Sequence, residues 1–329
     1  MILNEAIEEY VQRRQKWGFS FAGGQRVLRS FCNHLGNLSL DCVSASGIQT
    51  FLDGPRTSRA TWRSKYALLK HFFEFWHLQG ALPEIQLPPP RASHPRTFTP
   101  YIYTRAEIRS LLKATSQCQS FGLCEMDSAT FHCLLLTLYG TGALVGEILK
   151  LRDRDVSFKR RRINLSGNRI VGSRELPICS DLLEELKKFA SLKCHNKRED
   201  QHFFSTKCGR PLTGSRVRDR FVHLRRLAAV ERRDGMYYQP RMHDLRSTFA
   251  VHRITSWIKE GADLNRMLPA LAAYMGISNL VTTEKYLDLT PEHYRKQLRK
   301  LSPQRGKSRW RDDPALMKFL SGLSGLAVN

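Results

Sequence analysis

No helix can run through Leu87 to Arg96, because Pro88, Pro89, Pro90 and Pro95 stand within those ten residues. Proline has no amide hydrogen and a fixed φ, so this stretch reads as an extended connector. It parts the 329-residue chain into a shorter segment of helical pattern and a longer mixed one. The expected organisation is a domain of residues 1–87, a linker of 88–100, a second domain of 101–303 and a tail of 304–329. The chain is long enough to give each domain its own core.

Before the linker, residues 4 to 35 carry helical periodicity. Ile7, Tyr10 and Val11 share one apolar face, and Val27, Leu28, Phe31 and Leu35 another after an expected break at Gly23-Gly24. A second helical pair covers Ala45 to Leu52 and Ser58 to Leu78. In the latter, Tyr66, Leu69, Phe72, Phe73 and Trp76 recur every three or four residues, while Arg59, Arg63, Lys65 and Lys70 mark a basic face. After the linker, Thr104-Arg105-Ala106-Glu107 has the pattern of a capped helix start. Ser128 to Leu138 is an apolar helix that stops at Gly140-Thr141-Gly142. Short β-like runs follow, Arg162 to Leu165 and Glu175 to Ile178, around Gly167 and Gly172; they predict a small antiparallel sheet. Leu182 to Leu192, Gly214 to Ala229 and His243 to Glu260 are helical again, the last closed by Gly261. The fold class is therefore mainly α, with a small antiparallel β-sheet in the second domain.

Charge narrows the partner. Fifty-three Lys and Arg against thirty Asp and Glu leave +23 at neutral pH, and an excess of that size fits a polyanion, nucleic acid first of all. No apolar run reaches the ~18 residues of a membrane span, and Met1-Ile2-Leu3-Asn4-Glu5 lacks the basic and apolar regions of a secretory signal. The eight cysteines are scattered without a C-x-x-C pair, which reads as free thiols in a reducing cytoplasm. Cys194-His195 has no second pair at ligand spacing, so no metal site is expected. Basic-face candidates for phosphate contact are Arg59, Arg63, Lys65 and Lys70 in the first domain and Arg216, Arg218 and Arg220 in the second.

One pair carries chemistry. His243 and Arg246, three residues apart at the start of a helix, share a face on which an imidazole and a guanidinium can hold a phosphate. Tyr286 lies on a short helix some forty residues further on, after a helix ended by Gly276.

Taken together these segments resemble the tyrosine recombinase, or phage integrase, family. Tyr139-Gly140-Thr141-Gly142-Ala143-Leu144-Val145-Gly146-Glu147 is similar to its first catalytic box. Met242-His243-Asp244-Leu245-Arg246-Ser247-Thr248-Phe249-Ala250 is similar to the second. Tyr274-Met275-Gly276 through Tyr286-Leu287 is similar to the third, with Tyr286 at the nucleophile, and the helical N-terminal region resembles the family's core-binding domain. The resemblance implies a two-domain, C-shaped clamp around double-stranded DNA and a synapse of several protomers. It also implies a reaction without metal, ATP or other cofactor, in which the tyrosine forms a 3′-phosphotyrosyl link and frees a 5′-hydroxyl. Tyr286, Arg246 and His243 are the implied catalytic residues, and Arg169 aligns with the family's hairpin lysine. The C-terminal run Asp313 to Leu320 has the pattern of an amphipathic plug for a neighbouring protomer. The implied place of action is the cytoplasm, at the nucleoid.

The same resemblance shows departures. Leu144 stands where the first box has an arginine, and Ile277 where the third has His or Trp. Losing a preorganised charged donor typically costs ~3 kcal/mol of transition-state stabilisation, on the order of a hundred- to thousand-fold in rate. Arg152 and Arg154 are the nearest replacements in sequence; Lys193 and Lys207 are alternatives for the hairpin lysine. Three readings follow: site-specific DNA recombination with a weakened site, an inert accessory subunit that supports an active partner, and a DNA-binding regulator that never cuts.

Overall fold

The computed structural model describes residues 1–290 except 19–20, 56, 85–86, 92–97, 118–125, 168–171, 194–199 and 278–279. The chain divides into two compact units, residues 1–97 and 98–329.

The first unit holds helices α1 (Leu3–Lys16), α2 (Ala22–Leu35), α3 (Ala45–Leu52) and α4 (Arg59–Leu78). Their apolar stripes meet in a core that includes Ile7, Tyr10, Phe31, Trp62 and Phe72. Ser44 and Ser58 cap α3 and α4 by accepting from the amides of Gly47 and Thr61, satisfying donors that a helix start leaves open. The break between α1 and α2 differs from the expected one. It falls between Trp17 and Phe21, and Gly23 and Gly24 are helical. A Cβ on Gly24 would lie 2.5 Å from the Phe21 ring, so glycine here makes room for that ring rather than breaking the helix. The start of the proline run is strapped onto α4. Tyr66 donates to the Pro88 carbonyl at 3.0 Å, and Arg91 bonds Asp53 at 2.6 Å while lying over the Trp62 ring.

The second unit is helical around one small sheet. Its helices are α5 (Arg105–Ala114), α6 (Ser128–Thr141), α7 (Val145–Ile148), α8 (Ser180–Leu192), α9 (Gly214–Leu227), α10 (Asp244–Glu260), α11 (Leu264–Met275) and α12 (Leu280–Asp288). Strands β1 (Val156–Ser157), β2 (Arg162–Leu165) and β3 (Arg174–Pro177) form an antiparallel sheet in the order β1-β2-β3. Ile163 faces Leu176 in register, and with Leu165 they are buried on the core side, the alternation of a sheet wet on one face. α6 is apolar all round because it packs against both α8 and α10. Thr104 and Glu107 form the expected reciprocal cap of α5.

Two clusters divide the core of this unit. One joins α5, α6, α8, α9 and the sheet. The other, built on Phe249, Ile254, Leu271, Met275 and Tyr286, joins α10, α11 and α12. Among the described residues no helix is long and apolar enough to cross a membrane.

Candidate active site

The first turn of α10 is fixed before any substrate is considered. Asp244 is 1% exposed, and its carboxylate accepts from both the amide and the guanidinium of Arg241, each at 2.9 Å. Tyr103 donates its hydroxyl to the Arg241 carbonyl and its amide to Thr248 Oγ1, both at 3.0 Å. Thr248 in turn donates to the Asp244 carbonyl at 2.9 Å. A buried carboxylate satisfied at every side is rigid, so His243, immediately before Asp244, is presented from a locked turn.

Arg246 is buried one turn on. Its Nη1 donates to the Gly142 carbonyl at 2.6 Å and its Nη2 to the Met275 carbonyl at 2.9 Å. Tyr286 lies beside its guanidinium, which also feels the charges of Glu147 and Arg174. Burial pulls the Arg246 pKa down, and Tyr286 and Glu147 partly offset that. One side chain thus gathers the C-terminus of α6, the C-terminus of α11 and α12. Gly142 is needed for this: its φ is +62°, and a Cβ would lie 2.4 Å from the Phe249 ring. Only glycine adopts that conformation without strain and brings its carbonyl to Arg246.

Tyr286 is 8% exposed and packs in the Phe249–Met275 cluster. His243 is exposed by area, but local crowding is enough to lower its pKa. Burial comes first among the causes, then the charges of Arg246 and Arg241, with Asp244 pulling the other way. The imidazole is therefore neutral over a wider range than a free histidine, and can accept or donate one hydrogen bond.

Around the first box the structure holds an ion pair that sequence reasoning passed over. Arg174, opening β3, donates to both Glu147 oxygens at 2.7 and 3.0 Å. Its other bonds go to the carbonyls of Tyr274 and Met275, and both side chains of the pair are 11% exposed. Burial alone pushes the Glu147 carboxyl up; the hydrogen bonds from Arg174 and the Leu144 amide, with the charges of Arg174 and Arg246, bring it below its usual range. Arg174 and Arg246 bond the same Met275 carbonyl. The signal in sequence was Glu147 inside the first box and an arginine at the start of a short strand, a pairing visible only once β3 is placed.

Leu144 precedes α7, with its amide bonded to Glu147 at 2.9 Å and its side chain 39% exposed. The replacements considered from the sequence are engaged or placed elsewhere. Arg152 and Arg154 both bond Asp200, Lys193 bonds Asp153 and the His202 carbonyl, and Arg174 is committed to Glu147. Lys207 sits in an exposed turn closed by the Gly209 amide and Thr206 carbonyl. Ile277 packs on the Tyr286 cluster, its amide closing α11 on the Ala272 carbonyl. Arg169 and the run Asp313 to Leu320 lie outside the described residues.

Of the basic-face candidates, Arg59 and Arg63 are exposed on α4, Lys65 lies 4.3 Å over the Phe51 ring and Lys70 pairs with Glu74. Arg216 and Arg218 are exposed on α9. Arg220 is engaged within the unit, donating to the Met126 carbonyl at 2.6 Å and lying over the Phe131 ring.

The description "Phage integrase family" matches residues 102–293, more than half of the chain. The chain belongs to the phage integrase family. It is similar to the "Putative integrase/recombinase y4rB" of Sinorhizobium fredii, 25% identical over 317 residues that span 94% of this chain and 98% of that one. It is also similar to tyrosine recombinase XerC of Staphylococcus carnosus, 26% identical over 84% of this chain and 86% of that one. Among solved structures, the integrase of transposon Tn1549 in complex with circular intermediate DNA superposes with a TM-score of 0.65 at 18% identity, covering 92% of this chain and all of that one. A lambda integrase dimer bound to a core site gives 0.60 at 15% identity, covering 86% of this chain and 97% of that one. These likenesses establish the fold, and family membership brings DNA recombination as the process.

Proposed function

We propose that this protein carries out site-specific recombination of double-stranded DNA by cutting through Tyr286, at a rate lowered by the absence of the first-box arginine. The observation that carries the reading is Arg246. It contacts Tyr286 and two carbonyls from separate segments, and its remaining N–H groups are donors for a phosphate.

In this scheme the Tyr286 hydroxyl oxygen attacks the phosphorus. The phosphorus–O5′ bond breaks, leaving a 3′-phosphotyrosine and a 5′-hydroxyl. That hydroxyl, or one from a partner strand, attacks the phosphotyrosine in the reverse step and restores Tyr286. Because the covalent link conserves the bond energy, the exchange needs no ATP. Arg246 neutralises charge on the non-bridging oxygens as it builds. His243 supplies a hydrogen bond or proton, and Arg169 is assigned to the leaving oxygen's side.

The wider reading is a two-domain clamp on duplex DNA, acting at the nucleoid in the cytoplasm with further protomers. Arg59, Arg63, Lys65, Lys70, Arg216 and Arg218 are the proposed phosphate contacts; Arg220, turned inward to the Met126 carbonyl, is not among them. Leu144 favours one competing reading, an inert subunit supporting an active one.

The test is adduct trapping on a duplex selected by the protein from a randomised pool and carrying a 5′-phosphorothiolate, whose sulfur leaves but does not re-attack. The wild-type chain is expected to become covalently attached, and Tyr286→Phe to give no adduct. A wild-type chain that binds its selected duplex without ever forming adduct points to the inert reading.

A further inference from the structure

Immediately before the locked turn of α10 runs a loop, residues 231–241, with a hydrogen-bonded framework and a solvent-exposed tip. The Arg232 side chain is 4% exposed and bonds both oxygens of Asp234, at 2.8 and 2.9 Å. It also donates to the Thr99 carbonyl and lies over the Tyr101 ring. Gln239 accepts from Arg225 and from the Arg232 amide. Asp234 accepts from the Met236 amide across Gly235, whose φ is +73°. This frame holds Met236, Tyr237 and Tyr238 outward, and Tyr237 is 81% exposed.

The exposed rings form a chain of contacts leading to the site. Tyr237 meets Tyr238 edge-on at 5.1 Å, and Tyr238 meets Phe98 at 5.6 Å. Arg241 lies 4.1 Å over Phe98 and bonds Asp244 at the start of α10. Six Cα-to-Cα steps lead from Tyr237 to His243, about 20 Å at most between their backbones. With both side chains added, and on a strand that rises about 3.4 Å per nucleotide, the ring lies within roughly ten nucleotides of a phosphate held at His243.

We propose that Tyr237 is a stacking wedge for unpaired bases beside the cleavage site, an inference that rests on the DNA-cutting reading above. Its surroundings decide between DNA and an apolar protein face. The loop's own Arg233 and Arg241 are exposed on a chain of net charge +23, and an apolar protein face docked there would strip water from Arg233 without supplying a counter-charge. A nucleic-acid strand supplies phosphates for the arginines and a π-face for the ring, the pairing that single-stranded DNA sites use. A ring held on a rigid loop also loses little freedom on binding.

The experiment compares two fluorescent duplexes of one mixed sequence, roughly 30 base pairs long, one intact and one with a central bubble of about two mismatched pairs. Wild-type protein is expected to bind the bubble roughly tenfold or more tightly than the intact duplex. Tyr237→Ala is expected to remove that preference and Tyr237→Phe to keep it, with melting temperature unchanged in both. Equal binding of the two duplexes by wild type, or a preference that survives in Tyr237→Ala, overturns the wedge. So does a Tyr237→Ala protein that keeps the preference but self-associates less, which marks a protein-facing surface. Failure of the wild type to bind either duplex at low salt sinks the DNA reading itself, before any variant is made.

Discussion

Arg246 and Leu144 occupy one neighbourhood of this molecule, since the carbonyl that anchors Arg246 belongs to Gly142, two residues before Leu144. Around Arg246 every support is present: two carbonyl acceptors, a tyrosine, a neighbouring carboxylate. Around Leu144 the support is equally present, but the side chain it carries is uncharged. Glu147 is buried, doubly bonded to Arg174, and still receives the Leu144 amide. On the proposed reading this is the scaffold of a two-arginine site with a leucine at one of the two positions. A decaying site would be expected to lose the buried pair first, because an ion pair out of water is held only by complete bonding.

Several changes break or sharpen that contrast. Arg246→Ala removes a cation set against Tyr286, and the rate of adduct formation is expected to fall by about a thousandfold. Single-turnover trapping measures it, with circular dichroism showing whether the fold survives.

Arg174→Ala acts on the scaffold instead. Breaking a buried pair and leaving Glu147 alone is expected to cost about 3 kcal/mol of stability, read as a lower urea midpoint at unchanged slope. Replacing both partners with apolar residues of similar size is expected to recover most of that loss. If the double replacement also restores the rate of cutting, Arg174 serves the fold alone; if stability returns without activity, it positions Arg246 through the shared Met275 carbonyl.

The smallest effect is on pH. His243 and His252 both have pKa values lowered chiefly by burial, reinforced by nearby arginines. Below the ordinary histidine pKa of about 6.5, the unfolded chain takes up protons that the folded chain refuses. Stability is therefore full above that value and declines as pH falls toward the folded values. Thermal melts across this range are expected to show the decline, and His252→Gln to make it shallower. An identical slope in that variant would contradict the assignment.

Much of this was legible in the sequence because it depended on local pattern. The apolar stripes of α1 to α4, the Thr104 cap and the β-runs around Gly167 each specify an element from neighbouring residues. So does the His243–Arg246 spacing, which one helical turn converts directly into adjacency. The Glu147–Arg174 pair was not legible, because it joins residues 27 positions apart across a helix and a strand edge. Nor were the carbonyls of Gly142 and Met275, since a backbone oxygen has no letter in the sequence. The Gly23-Gly24 break failed for a related reason: a glycine read as a breaker was instead the space for the Phe21 ring. Arg220 was indistinguishable from its outward neighbours until α9 was rotated against Phe131.

The central claim is that the site cuts DNA slowly because a single guanidinium is missing from an otherwise preserved frame. Leu144→Arg tests it most directly, with adduct formation on the phosphorothiolate duplex followed in time beside the wild type and the corresponding Tyr286→Phe double variant. The account predicts slow adduct in the wild type, a gain of about a hundred- to thousand-fold in Leu144→Arg, and none in the double variant. A wild type that forms no adduct while Leu144→Arg does would contradict it and make the natural chain an accessory subunit. Equal rates in wild type and Leu144→Arg would contradict it from the other side, showing that the vacant position limits nothing.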